Sequence, residues 1–256
     1  MKTLMTLLKK EFLAQWRGGQ LFILILVFFV IGLMNTALAL ATPWMLEQIA
    51  SQDNGLAIQV QAVEVTATMA WEQFFKNLPL AMLCFVFLES QLLTKEYQTG
   101  TLILVLTKGL KRSQFLLAKF IFLLTLWTGA YSICWLTTLT YTQYYLGSVN
   151  QDDLTLALLA WYGFGLLVVS LILVASTLAT SSSGVLVTLF ASLLVFYVLS
   201  VFPQSKDYSP ILLTEGKALL GESLDFEAYR QAVYTTAGLI LSSLCLSFPL
   251  FNRRQL

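Results

Sequence analysis

The residues with the greatest capacity for chemistry lie in one short segment, 94–113, between two long apolar runs. A carboxylate, a Gly-Thr pair, a short apolar patch and a basic residue follow one another there, at Glu96, Gly100, Thr101, Leu102, Leu106 and Arg112. A solvated loop whose positive charges only set the membrane topology would explain the basic residues. It would not explain a carboxylate and an apolar patch at this spacing. We therefore predict that the segment lies under a membrane and docks into the groove of a soluble partner.

The rest of the composition argues against catalysis. The chain has no His, which removes His-dependent chemistry and most zinc sites. Its three cysteines, Cys84, Cys134 and Cys245, lie in apolar runs and are expected to pack as small apolar residues. The phosphate-binding pattern G-x-x-x-x-G-K-[ST] does not occur in the sequence. We predict no enzyme, no metal site and no cofactor bound by this chain, and the absence of a basic patch interleaved with aromatics argues against a nucleic-acid partner.

One further pair of charges is a candidate for a structural role. Glu89 falls near the end of an apolar run, where an ionised carboxylate in hydrocarbon is costly. Lys119 falls near the start of the next run. We expect an intramembrane ion pair between Glu89 and Lys119 that stiffens the hairpin. The alternative is that Glu89 only reaches toward the membrane interface.

Six apolar runs must position these residues. Each is long enough to cross a ~30 Å hydrocarbon core, which takes roughly 20 helical residues. They lie near 20–41, 73–93, 114–141, 154–180, 184–203 and 229–250. The apolar fraction of 57% excludes an ordinary soluble domain. The stretch from Leu154 to Ser205 has no charged residue. As a single helix it would be about 78 Å long, far longer than the ~30 Å hydrocarbon core, so we expect it to fold back at a turn at 180–184.

Lys and Arg are distributed unevenly between the two sets of links. With both termini in the cytoplasm, eleven lie on the inner segments and four on the outer ones, together the 15 of the chain. The opposite orientation would violate the positive-inside rule. We predict an all-α integral membrane protein of the cell membrane, with six transmembrane helices, a single transmembrane domain over 1–256 and both termini cytoplasmic.

The N-terminal residues, 1–19, predict an interfacial helix. Leu4, Leu8, Phe12 and Trp16 recur every four residues and share one helical face, while the basic residues lie largely off it. A basic helix with such a face lies flat on a leaflet and contacts membrane lipid. The alternative is a disordered basic leader. The pair Gly18-Gly19 would allow a sharp bend into the first span.

The last outer segment, 204–228, predicts a short external helix. Ser209 is a good N-cap and Pro210 suits the first helical position. Gly221 is a plausible end of this helix, and Asp225 could cap the last span. The helix is too short to cross a membrane. Both a hairpin that dips into the outer leaflet and a loop helix packed on neighbouring spans fit this length.

The segment around Glu96 resembles the coupling region of type-2 ABC transporter permeases. The shared pattern is Glu-x-x-x-Gly-Thr-Leu, an apolar run, a basic residue and an apolar-rich stretch ending in Lys. The matching positions are Glu96, Gly100, Thr101, Leu102, Arg112 and Lys119. The amphipathic N-terminus, the six spans and the short external helix also fit this family. One departure is Thr107-Lys108-Gly109, which stands where many members have Pro.

The resemblance implies a permease subunit of an ATP-driven ABC exporter. Such permeases form the translocation pathway as dimers, with a second copy or a related permease, and each docks a separate cytoplasmic ATPase subunit. ATP and Mg are then expected on the partner ATPase. The spans that would line this pathway carry very few charged residues, which favours a hydrophobic or amphipathic substrate such as a peptide. The alternatives are a secondary transporter, or an immunity or scaffold membrane protein without an ATPase.

Overall fold

The structure, a computed structural model, describes residues 2–52, 65–102, 107, 111–148, 151–216 and 226–253. Helices are the regular elements throughout this part of the chain, which confirms the all-α prediction. In chain order they are α1 (Lys2–Arg17), α2 (Gln20–Gln52), α3 (Ala67–Glu89), α4 (Thr94–Gln98), α5 (Arg112–Leu146), α6 (Gln151–Leu178), α7 (Ser182–Val201) and α8 (Phe226–Arg253). Two 3-10 turns, Lys206–Tyr208 and Pro210–Thr214, lie between α7 and α8.

Six of the described helices are long and apolar enough to cross a membrane, namely α2, α3, α5, α6, α7 and α8. This confirms the six predicted spans. The first of them extends further than its apolar run, because α2 continues through Pro43 to Gln52. Near that proline the Thr42 hydroxyl donates a hydrogen bond to the Leu38 carbonyl, 2.9 Å away. A proline removes one backbone donor, but neighbouring side chains can hold such a helix together.

Trp127 lies at the centre of the bundle, where α2, α3, α5 and α6 meet. Its ring packs edge-on against Phe28 and Phe85, with centroids 6.1 Å and 5.4 Å away. On the fourth side it lies against Gly165, where an added Cβ would come within 2.1 Å of the indole. The indole Nε1 donates to the Tyr162 carbonyl at 3.4 Å. The absence of a side chain at Gly165 therefore lets α5 and α6 pack around one large aromatic residue.

Hydrogen bonds between small polar side chains add to this packing. Asn77 donates to Asn35 Oδ1 at 2.8 Å, and Asn35 in turn donates to Thr138 Oγ1 at 3.1 Å. These bonds join α2, α3 and α5. Ser243 donates to Ser170 at 2.8 Å and joins α8 to α6. In hydrocarbon, small and polar residues of this kind are a common means of holding helices together.

The turn between α6 and α7 lies where the sequence predicts it. α6 ends at Leu178 and α7 begins at Ser182. The Ser181 hydroxyl caps α7 by accepting a hydrogen bond from the Gly184 amide at 3.2 Å. Gly19, between α1 and α2, has a φ of 71°, so the predicted bend at Gly18-Gly19 also forms.

The predicted external helix is a 3-10 turn in its described part. Ser209 caps it by accepting a hydrogen bond from the Ile211 amide at 3.3 Å, and Pro210 is its first residue, as predicted. Trp161 and Tyr229 donate side-chain hydrogen bonds to the carbonyls of this turn, at 2.9 Å and 3.3 Å. The turn is therefore packed on α6 and α8. The predicted helix end at Gly221 and the Asp225 cap lie outside the described residues.

We predict that Gly165→Ala destabilises the protein, because its methyl group would overlap the Trp127 ring. Overpacking of a dense core costs about 1–3 kcal/mol. The measurement is the thermal midpoint of the detergent-purified protein. Gly163→Ala on the same helix is the matched control, because a Cβ there meets nothing within 4 Å. Equal midpoints for the two variants would contradict the packing described.

Candidate functional site

The predicted coupling segment, residues 94–113, follows a tight turn at the end of α3. The five-residue helix α4 follows Glu89 closely and ends at Gln98. Gly100 then has a φ of 66°, a region that side-chain-bearing residues rarely adopt. Its amide donates to the Tyr97 carbonyl at 3.3 Å, which closes the end of the helix. The glycine in the predicted motif thus has a conformational reason.

Glu96 points into the protein and binds two ammonium groups. Its Oε1 atom accepts hydrogen bonds from Lys10 Nζ of α1 and from Lys119 Nζ of α5, each at 3.0 Å. Lys119 also lies 2.8 Å from Oε2 of Glu11, and it donates to the Leu92 carbonyl at 3.1 Å. One ammonium group therefore joins α1, α4 and α5. We call Lys10, Glu11, Glu96 and Lys119 the ionic junction.

The ionic junction is held together by the cost of burying Lys119. Only 1% of this residue is exposed. A buried ammonium is stable only when carboxylates and other acceptors replace its water. Glu11, Glu96 and the Leu92 carbonyl supply them, and the Phe115 ring lies 5.4 Å from the ammonium. Removing any one member would leave the others partly uncompensated.

Lys10, on the outer side of the ionic junction, stays charged. Partial burial by itself lowers the pKa of this ammonium, but the hydrogen bond and charge of Glu96, with the charge of Glu11, outweigh burial. The net effect raises the pKa of Lys10 above its ordinary value. The raised pKa extends the ion pair between Lys10 and Glu96 to higher pH, and the pair is lost only when the pH rises through the pKa of Lys10.

Glu89 has a different partner from the one expected. Its two carboxylate oxygens accept hydrogen bonds from Gln15 Nε2 of α1, at 3.0 Å and 2.8 Å. The expected ion pair between Glu89 and Lys119 is not the one that forms, because the Lys119 ammonium is directed to Glu11 and Glu96. Glu89 still joins α3 to a neighbour, but to α1 rather than to α5.

Sequence reasoning missed Glu11 and Gln15. These two residues are buried, while Phe12 and Trp16 on the same helix are 48% and 64% exposed. Leu4 and Leu8, the other two residues of the predicted apolar face, are partly buried. α1 thus presents polar side chains to the bundle and leaves large apolar ones outside. The available signal was the i, i+4 spacing of Glu11 and Gln15 on a helix otherwise apolar and basic.

The remaining motif residues also hold the segment from within. Leu102 is buried in an apolar cluster with Leu93, Phe115, Leu116, Leu173 and Phe251. Arg112 donates to the Phe251 and Asn252 carbonyls, at 3.1 Å and 3.0 Å, at the C-terminal end of α8. A guanidinium is a favourable cap for such carbonyls. Leu106, the last residue of the predicted apolar patch, lies outside the described residues.

The exposed surface of this segment is polar in the part that the structure describes. Leu102, the first residue of the predicted apolar patch, is buried, and the rest of the patch, 103–106, lies outside the described residues. Among the described residues of the segment, the exposed side chains are those of Lys95, Gln98, Thr99, Thr107, Lys111, Ser113 and Gln114. Thr101, half-buried, shares a hydrogen bond with Thr99 at 3.0 Å. Between α1 and α4 lies an open cleft of about 290 Å³, lined by Gln15, Gln91, Lys95 and residues of the ionic junction.

Comparison with protein families agrees with the resemblance of the motif. Residues 5–244 match the family described as ABC-2 family transporter protein. The chain belongs to the ABC-2 family of transporter proteins. Comparison with curated proteins finds no match.

Membership of this family, together with six apolar helices, makes the chain a multi-pass membrane component of a transporter. ABC-2 permeases are in general not catalytic themselves and work with an ABC ATPase. Within the described residues no cluster of metal-ligating side chains is present.

We predict that Lys119→Gln strongly destabilises this ABC-2 protein. The substitution removes the buried cation from the Glu11 and Glu96 carboxylates and leaves them only the half-exposed Lys10 among the described residues. Breaking a buried ion pair from one side costs about 3–5 kcal/mol. The thermal midpoint in detergent should fall, and Lys119→Gln combined with Glu11→Gln should recover part of the loss. Lys95→Gln, at an exposed lysine of α4, is the control. A midpoint unchanged by Lys119→Gln would contradict the ionic junction.

Proposed function

We propose that the chain is the permease subunit of an ATP-driven ABC exporter and that a separate ATPase subunit docks on the coupling segment. The observation that carries this proposal is the ionic junction. It fixes α4 to α1, through Lys10, and to α5, through Lys119, which in turn binds Glu11 of α1. A displacement of α4 by a soluble partner is therefore passed directly to two other helices.

The path from α4 into the membrane is continuous. Lys119 lies near the start of α5, and Trp127, eight residues further along the same helix, packs against Gly165 of α6. Arg112, at the first residue of α5, binds the end of α8. Packed cores and buried polar networks tend to switch between discrete arrangements rather than deform gradually. The ATPase would thus bias two arrangements of the bundle from one end.

The docking surface that supports this proposal consists of the exposed residues around α4. Lys95, Gln98 and Thr99 face outward, while Glu96 and Leu102 fix the helix from inside. The division separates the residues that contact the ATPase from those that transmit its motion. ATP and Mg would be bound by the ATPase, since the chain has no P-loop pattern.

We place α1 and α4 on the cytoplasmic side and the Pro210–Thr214 turn outside. The distribution of Lys and Arg supports this orientation, with both termini in the cytoplasm. An ATPase also needs the coupling segment on the side where ATP is available.

A dimer would complete the translocation pathway. α7 is the least buried of the six spans, and it carries exposed apolar residues such as Val187, Leu194 and Val201. This face is open to a second permease copy or a related permease. Walls of this kind do not replace the hydration shell of an ion, so the proposed substrate is hydrophobic or amphipathic, such as an apolar peptide.

The partner is tested by purifying the tagged chain from its native membrane in mild detergent. We expect a stoichiometric co-purifying protein that carries the P-loop pattern. Lys95→Glu combined with Gln98→Glu should prevent this protein from co-purifying. The first change reverses a charge on the exposed face of α4 and the second adds a negative one. The matched control is Lys206→Glu, in the segment between α7 and α8. A pure chain without an ATPase would overturn the proposal in favour of a secondary transporter or a scaffold.

Coupling is tested by Gly100→Ala. A Cβ at this glycine meets nothing within 4 Å, so the change strains only the backbone, at a cost of about 1–2 kcal/mol. We expect an intact complex that still hydrolyses ATP. Because the strain disfavours the native conformation of the segment, and 1.4 kcal/mol is a factor of ten, transport of a fluorescent apolar peptide into proteoliposomes should fall roughly tenfold per ATP.

Gly163→Ala is the control for this measurement, because its added Cβ is also unopposed but lies on α6. A wild-type ratio of transport to hydrolysis in Gly100→Ala would show that the segment after α4 does not couple the two activities.

A further inference from the structure

An apolar groove runs along the outer side of α1, on the face opposite to the ionic junction. Its volume is about 660 Å³, within the usual range of ligand-binding pockets. α1, the start of α2 and the middle of α5 form its walls. The principal wall residues are Phe12, Trp16, Leu21, Ile25, Phe122 and Ile133.

The groove exists because α5 carries small residues where it passes α1. Gly129 and Ala130 lie in its floor, with Thr125 one turn earlier. A Cβ added at Gly129 would meet nothing within 4 Å. Gly32 and Gly165 differ in this respect, because a Cβ at either would overlap a neighbouring helix. Gly129 therefore does not permit close helix packing but leaves an open hollow.

The length of the groove matches one leaflet of a bilayer. Along α5 it extends from Phe122 to Ile133, a rise of about 16 Å at 1.5 Å per residue. The hydrocarbon core of a bilayer is about 30 Å thick, so this is close to the depth of one leaflet. The groove starts at the level of α1, an interfacial helix, and continues toward the bilayer centre.

Basic residues lie at the mouth of the groove. Lys9 lines the groove and also an adjacent open cleft of about 450 Å³, which Lys10 and Arg17 line as well. Lys10 is engaged with Glu96. Lys9 and Arg17 make no ion pair with the described residues, and among those residues no carboxylate lines either cavity. An apolar groove that opens beside uncompensated cations is complementary to an anionic amphiphile.

We propose that this groove is a binding site for an anionic phospholipid of the leaflet on the α1 side. One acyl chain lies in the groove over Gly129, and the phosphate lies between Lys9 and Arg17. The lipid supports the apolar face of α1, while Glu11 and Gln15 hold its polar face. Occupancy of the groove therefore stabilises the position of α1 that the ionic junction requires. This inference goes beyond the proposed function and needs neither the ATPase nor transport.

The test uses the full chain in lipid nanodiscs and the fluorescence of Trp16, one of six tryptophans. The Trp16 signal is the difference between the wild-type protein and Trp16→Phe. We expect brominated phosphatidylglycerol to quench this signal at a lower mole fraction than brominated phosphatidylcholine. Each of Lys9→Gln and Arg17→Gln should reduce the preference roughly fivefold. Lys111→Gln, an exposed lysine at the same end of the bundle, is the control.

A second pair of variants tests the groove itself. Gly129→Leu fills the hollow and should abolish the excess quenching, whereas Gly163→Leu, at another open glycine, should retain it. Equal quenching by both lipids in the wild-type protein would overturn the proposal, because ordinary boundary lipid shows no headgroup preference. Loss of a dimer in Gly129→Leu with unchanged quenching would also overturn it, because a second copy would then occupy the groove. Either result can be obtained whether or not an ATPase co-purifies.

Discussion

The burial of one ammonium group, that of Lys119, is the constraint that sets how α1, α4 and α5 are arranged around it. A lysine near the start of a span, shielded from water, must find acceptors of opposite charge. The two carboxylates that it finds, Glu11 and Glu96, come from two other helices, α1 and α4. Their positions are therefore not independent, and the location of α4 is set by a charge in the span that follows it.

This constraint explains why α1 has an unusual distribution of residues. A surface helix normally turns its apolar face to the protein core. α1 instead buries Glu11 and Gln15 and exposes Phe12 and Trp16. Such a distribution suits a helix whose outer side meets an apolar medium, which is the position we propose for α1 at a membrane interface. In this proposal the same helix contacts lipid on one side and the ionic junction on the other.

Deeper in the bundle, close packing replaces charge as the main constraint. Trp127 is accommodated because residue 165 has no side chain, and α2 approaches α5 closely at Gly32, where a Cβ would lie 2.8 Å from the Cys134 carbonyl. Hydrogen bonds among Asn35, Asn77 and Thr138 join the same helices. In contrast, α7 is held by few buried residues, among them Val185 and Leu189. The bundle therefore combines a closely packed part with one span that has a largely free surface.

Four features could be predicted from the amino-acid sequence: the six spans, the helical nature of α1, the turn before α7 and the cap at Ser209. These features depend on local quantities, namely the length of an apolar run, the period of its side chains and the types of residue at its ends. The sequence also identified Glu96, Gly100 and Arg112 as special. It did not determine whether these residues face a partner or the interior of the protein.

The pairing of the charges, in contrast, depends on how the helices pack and could not be predicted from the sequence. Lys10 and Glu96 are 86 residues apart, and Gln15 and Glu89 are 74 apart. Such contacts depend on which faces of distant helices meet, and hydropathy contains no information about this. For the same reason the partner expected for Glu89 was a cation across the hairpin, Lys119, rather than an amide of α1. Spans follow from the solvent that each segment requires, whereas partners follow from the way the segments pack.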